Sequence, residues 1–231
     1  MPSTWLTVVS WAALAAAFAS AGAIVYDLYG RGHRQRMGVM EAVWPVTALY
    51  FGPLAVWAYR RFGRPQSPRY LSERGLQEPP GKPAWATYAV GVSHCGAGCT
   101  LGDIVAEFAV FGLALSIAGE RLLAEYAGDY LLAVGLGLAF QYFAIVPMRD
   151  LGFREGLVAA AKADILSLSA FEVGLFGWMA LMAYVFYPAP HHLHPDSPVY
   201  WFLMQVGMIA GFATSYPVNV WLIKRGIKEA M

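Results

Sequence analysis

The chain has 231 residues, 58% of them hydrophobic and 13% charged, with a mean hydropathy of +0.48 and a formal net charge of +1. A water-soluble domain carries about 25% charged residues, so this composition excludes a soluble globular protein. The near-neutral balance gives no reason to expect a nucleic-acid partner.

Crossing a bilayer takes about 20 apolar residues, and the sequence offers several such stretches. The predicted class is all-α, a polytopic membrane helix bundle of about six transmembrane helices. No alternating strand pattern of about ten residues points to a β-barrel.

The first predicted helix covers residues 5–29. It has no basic lead-in and is too long for a secretory leader, so it is expected to be a membrane helix. A basic turn, Arg31 to Arg36, follows. The second predicted helix covers 38–59 and contains Pro45 and Pro53, which membrane helices tolerate when neighbours satisfy the freed carbonyls. Residues 60–83 are basic and proline-rich and read as an extended, poorly ordered aqueous linker.

Residues 85–118 are apolar but long for one straight span. The expectation is a leading segment to Ser93, a break at Gly96-Ala97-Gly98, and a third helix from Cys99; a continuous, tilted helix is the plainer alternative. A short acidic loop is predicted over 119–129, and a fourth helix over 130–148 with Gln141 inside it. Residues 149–164 alternate charged and apolar groups like an interfacial helix. A fifth helix over 165–187 carries Glu172, and a histidine-rich loop over 188–196 leads to a sixth helix over 199–223 and a polar tail.

This gives three parts: an N-terminal two-helix unit (1–60), a cytoplasmic linker (61–83) and a four-helix membrane core (84–231). Six crossings put both termini on one side. The Lys and Arg counts favour that side, so the positive-inside rule places both termini in the cytoplasm, with the turn at Arg31 voting the other way. Trp5, Trp11, Trp44, Trp57, Trp85, Trp201 and Trp221 fall mostly near predicted helix ends, as an interfacial aromatic belt does.

The chemistry gathers on the third predicted helix. Steps of four residues drift by only about 40° around an α-helix, so Cys99, Asp103 and Glu107 share a face, and Cys95 extends it if the helix starts earlier. Cys95 to Glu107 spans about 18 Å along the axis. His94 adds an imidazole at one end, and Glu172 on the fifth helix is expected to face the stripe. Thiolate and imidazole suit Cu(I) or Zn, and carboxylates suit harder cations. Ionisable groups in lipid need partners, which makes a metal-binding stripe of His94, Cys95, Cys99, Asp103, Glu107 and Glu172 the leading expectation, with copper or zinc as the ion. Against it stand a proton relay, or cysteines that act as small core residues and acids that pair across helices with Gln141 or Gln205. Gly98 and Gly102 also form a small-residue face for close helix approach.

Weaker candidates are Asp164, near the start of the fifth helix, and Met204, Gln205 and Met208 on the sixth. The thioethers can ligate Cu(I), although methionine more often fills gaps. His191, His192 and His194 in the outer loop can gather metal or simply meet water. No Walker, HExxH, GxSxG or dinucleotide-binding pattern occurs, so enzyme activity is not favoured. The alternatives to metal transport or storage are a thiol–disulfide oxidoreductase working with a quinone, or a non-catalytic membrane subunit. The partners expected are the lipid bilayer, a metal ion, and a homo-oligomer or partner membrane subunit.

Several runs resemble one family: MEAVWPVTALYFGP at 40–53, HCGAGCTLGD at 94–103, ADILSL at 163–168 with FEVG at 171–174, and YPVN at 216–219 with GIKE at 226–229. They are similar to an integral membrane family known as a domain of unknown function, DUF4396. The resemblance implies a multi-pass protein of the bacterial inner membrane, and brings no activity or cofactor.

Overall fold

The structure, a computed structural model, describes residues 3–149 and 152–229. The described residues form an all-α bundle: α1 (Thr4–Val25), α2 (Met40–Phe51), α3 (Pro53–Ala58), α4 (Pro68–Arg74), α5 (Ala84–Gly112), α6 (Arg121–Arg149), α7 (Phe153–Leu181) and α8 (Pro198–Lys224). Wider π-type turns extend α1 to Gly30, α3 to Gly63 and α7 to Phe186. Five helices are long and apolar enough to cross a membrane: those beginning at Thr4, Ala84, Arg121, Phe153 and Pro198. The chain is a helical membrane protein.

The predicted second span is instead a broken hairpin. Gly52 takes φ 53° and ψ −130°, a conformation open to glycine, and Pro53 starts α3 in the opposite direction. The two arms lie side by side: Trp44 on α2 meets Tyr59 edge-on at 5.7 Å. Gly63 lies so close to the Trp44 indole that a Cβ there would come within 2.5 Å of it. The hairpin therefore enters the bundle and returns to the end it left. At that end the Tyr59 hydroxyl donates to Asp27 at 2.9 Å and Arg64 bonds His33 at 2.7 Å.

This changes the topology expected from six crossings. Trp11 and Phe18 of α1 line a cavity of about 350 Å³ together with Phe108, Pro195 and Trp201, so α1 begins at the end carrying the 187–197 loop. The start of α1 and the end of α8 thus lie at opposite ends of the bundle. Among the described residues, every Lys and Arg position except Arg121 falls in the segments at the linker end: 31–36, 60–82, 149–162 and 224–228.

The linker is only partly extended. Ser67 caps α4 by accepting from the Tyr70 N–H at 3.3 Å, and Gly75 ends it with φ 63°. Phe62, Pro65 and Leu71 are buried, and helix is missing only at Ser67 and from 75 to 83. His33 is buried between this segment and α1, with Nδ1 on the Ser67 hydroxyl and Nε2 facing Arg64. Burial, then the Arg64 guanidinium, lower its pKa below the ordinary 6.5, against the weaker pull of Asp27 and Glu73; Arg69 also lowers it. The unfolded chain then takes up a proton before the folded one does. Stability is expected to be intact above pH 6.5 and to fall as the pH drops below it. Thermal unfolding from about pH 7 to about pH 5 would read this, and a His33→Asn variant should lose part of the slope.

The break expected at Gly96-Ala97-Gly98 does not occur: α5 runs unbroken from Ala84 to Gly112. The glycines serve packing instead. A Cβ on Gly98 would sit 2.8 Å from the Gly137 Cα, and one on Gly102 2.6 Å from the Ala133 nitrogen, so α5 and α6 touch backbone to backbone. A Cβ on Gly96 would strike Phe171 at 2.9 Å. Gly102→Val should therefore destabilise the bundle by about 1–3 kcal/mol. Gly22→Ala, where a Cβ meets nothing within 4 Å, should not. Thermal unfolding of the two variants in detergent checks the contrast.

Two further boundaries differ from expectation. The acidic loop is short, because α6 begins at Arg121, where an Arg121–Glu125 ion pair of 2.6 Å supports the first turn. Glu125 and Asp129 are consequently helical and buried. No separate interfacial helix precedes the fifth span. From Phe153 that segment is the opening of α7, and Asp150 and Leu151 lie outside the described residues.

Candidate functional site

Because α5 is one straight helix, its four-residue spacing is kept and Cys95, Cys99, Asp103 and Glu107 are all 0% exposed. Each lies in the bundle interior rather than towards lipid or water. Cys95 and Cys99 are free thiols in one packed cluster with Tyr50, Phe171, Met204 and Met208. Tyr50 belongs to the hairpin tip, and the hairpin is pinned there by Gln205, whose amide donates to the Leu49 carbonyl at 2.7 Å. Gln205 therefore holds backbone and does not pair with an acid.

Glu172 on α7 is buried and lies beside Cys99, as its expected orientation requires. Asp103 lies within electrostatic reach of Glu172, Asp129 and Glu107. The Tyr200 hydroxyl of α8 donates to Glu107 Oε2. Asp129 is the acid that sequence reasoning missed. It was assigned to a loop, but it sits on α6 against Glu107, completely buried. Its signal was the spacing from Glu125, four residues earlier and one turn away on the same face. Asp103, Glu107, Asp129 and Glu172 thus form one buried carboxylate cluster, and among the described residues no Lys or Arg bonds any of them.

At the loop end the cluster meets a small vestibule. A cavity of about 100 Å³ is lined by Glu125, Met179, Met182, His192, His194 and Tyr200, among others. His194 stacks on Phe111 at 5.6 Å and its Nδ1 is bonded by Arg121. Burial and then Arg121 lower its pKa; with Nδ1 accepting from Arg121, the neutral ring carries its proton on Nε2. His191 is exposed and does not line this cavity.

His94 does not join the thiols as a third ligand. On an unbroken helix it points about 100° away from Cys95. Its ring meets Phe140 edge-on at 6.4 Å, both nitrogens lack partners, and it lies in the field of Asp164 and Lys228. Asp164 has a partner of its own: Lys228 Nζ donates to Oδ1 at 3.0 Å, with both side chains buried. Lys228 also reaches Ser167 Oγ at 3.4 Å, and Asn219 donates to the same oxygen at 2.6 Å. The sequence placed Lys228 in a polar tail and Gln141 as a partner for acids. Lys228 is a core residue, and Gln141 is buried with neither side-chain atom bonded.

The polar interior therefore runs the length of the bundle. Lys228, Asp164 and His94 occupy the linker end, Cys95, Cys99 and Glu172 the middle, and Asp103, Asp129, Glu107 and Tyr200 lead to the vestibule. Among the described residues, no three or more His, Cys, Asp or Glu converge closely enough to hold a metal ion as they stand.

No curated protein and no solved structure matches the chain. A family model does, over residues 84–228, which takes in α5 to α8, the whole thiol and carboxylate interior and Lys228. The hairpin at 40–63, with its own resembling run at 40–53, lies outside the matched range. On that match, covering more than half its length, the chain belongs to the DUF4396 family, a domain of unknown function.

Proposed function

We propose that this protein is a membrane carrier that takes up a transition-metal cation, Cu(I)- or Zn-like, and exchanges it for protons held on its buried carboxylates. One observation carries the reading: Asp103, Glu107, Asp129 and Glu172 are buried together with no basic side chain bonded to them. Several bare carboxylates cannot remain ionised side by side in a low-dielectric interior. They are neutralised either by protons or by a cation, so each cation that enters displaces protons. The soft donors beside them, Cys95 and Cys99 with Met204 and Met208 in the same cluster, favour a thiophilic ion. The vestibule with His192, His194 and Glu125 supplies an entrance.

Loading draws the donors together. The clustering of Lys and Arg at the linker end supports an orientation with the linker and C-terminal segment in the cytoplasm of a bacterial inner membrane and the vestibule outside. A dithiol–disulfide cycle has less support. The chain's two cysteines sit a turn apart on an intact helix, fully buried, with no second pair to pass electrons on.

Proteoliposomes loaded with a pH-sensitive dye test this. Added Cu(I) or Zn should enter with a matching proton release, faster than in empty liposomes. Uptake equal to that of empty liposomes for both ions would reject the carrier.

A further inference from the structure

Lys228 is not needed for any step above, yet the fold goes to some length to bury it. α8 ends at Lys224, and Gly226, at φ 69°, reverses the chain. The Ile227 and Lys228 N–H groups then cap the Leu222 carbonyl at 3.0 and 3.4 Å. This turns the lysine back into the bundle, although Arg225 and Gly226 beside it stay exposed. A lysine in a terminal segment would ordinarily lie in water, and burying its ammonium carries a large desolvation cost.

The socket it fills has more acceptors than it uses. Asp164 Oδ2 and Asn219 Oδ1 are buried acceptors bonded to nothing, and His94, with neither ring nitrogen bonded, adds one more lone pair when neutral. Lys228 also lies within electrostatic reach of Cys95 and Cys99.

We propose that Asp164, Ser167, Asn219 and His94 form a second cation site at the linker end of the bundle, selective for an ammonium-like monovalent cation, and that Lys228 is its tethered occupant. With Lys228 seated, the C-terminal segment stops the polar interior at this end. With Lys228 withdrawn, water reaches Cys95 and the socket is open to a free cation. The inference builds on the interior described for the carrier, but it concerns water access and ammonium binding and needs no metal.

The test uses the full chain in a Cys99→Ser background, with a membrane-impermeant maleimide applied from the C-terminal side. Lys228→Ala should raise the labelling rate of Cys95 by about tenfold or more. Millimolar n-propylammonium, the fragment that alanine lacks, should restore protection, and tetramethylammonium should not. Labelling no faster than with Lys228 present would overturn the stopper. A rise that n-propylammonium leaves unchanged would overturn the site. If Lys228→Ala does not fold alone, recovery of folded protein in n-propylammonium but not in tetramethylammonium supports the proposal, and recovery in neither overturns it. Loss of metal uptake in the carrier assay would leave every one of these outcomes readable.

Discussion

Lys228→Ala is expected to destabilise the protein by about 3–5 kcal/mol, more than the core glycine variant Gly102→Val. The reason is the charge left behind. Asp164 is buried and, among the described residues, Lys228 is the charged group that holds its Oδ1, while Ser167 is shared with Asn219. Removing the ammonium strands a carboxylate in a dry interior. Removing both charges does not, so Asp164→Asn combined with Lys228→Met should be far closer to the parent chain than Lys228→Ala is. Thermal unfolding of parent, single and double variants in detergent checks this. Equal losses in single and double variants would mean that packing, not the ion pair, holds the C-terminal segment.

The second large effect concerns the carboxylates. Asp103→Asn and Glu172→Gln preserve shape and remove the anion that a bound cation would compensate. Each is expected to weaken cation uptake by about 10- to 100-fold and to remove proton release in proportion. Glu107→Gln should do less to uptake, because Glu107 already has the Tyr200 hydroxyl and sits nearer the vestibule. Uptake of Zn or Cu(I) into proteoliposomes, with the dye signal read in parallel, ranks the three. Carboxamides that transport as well as the parent would mean that the cluster is only structural.

Much of this was legible in the sequence, and what was not had physical causes. The long apolar helices and the inward stripe from Cys95 to Glu107 followed from length and spacing, because a four-residue step holds only if the helix is unbroken. Two glycines suggested a break there, but close contact with Gly137 and Ala133 uses the same residue type for packing. The hairpin at 40–63 has the length of a span, and nothing in its hydropathy marks the reversal. Its flanks did. Arg31 to Arg36 on one side and Arg60 to Arg64 on the other are both basic, as two ends on one side of a membrane would be, and Gly52-Pro53 marks the turn. Asp129 was obscured by a loop that looked longer than it is. Lys228 was obscured by its position, although a deep acid such as Asp164 calls for a cationic partner.

The central claim is that the buried thiols and carboxylates hold a cation, and elemental analysis of the purified protein tests it most directly. Protein purified after growth with copper and zinc is predicted to carry close to one equivalent of one of them, and Cys95→Ser with Cys99→Ser is predicted to empty it. Metal absent from the parent chain, or bound equally in the double variant, would contradict the account.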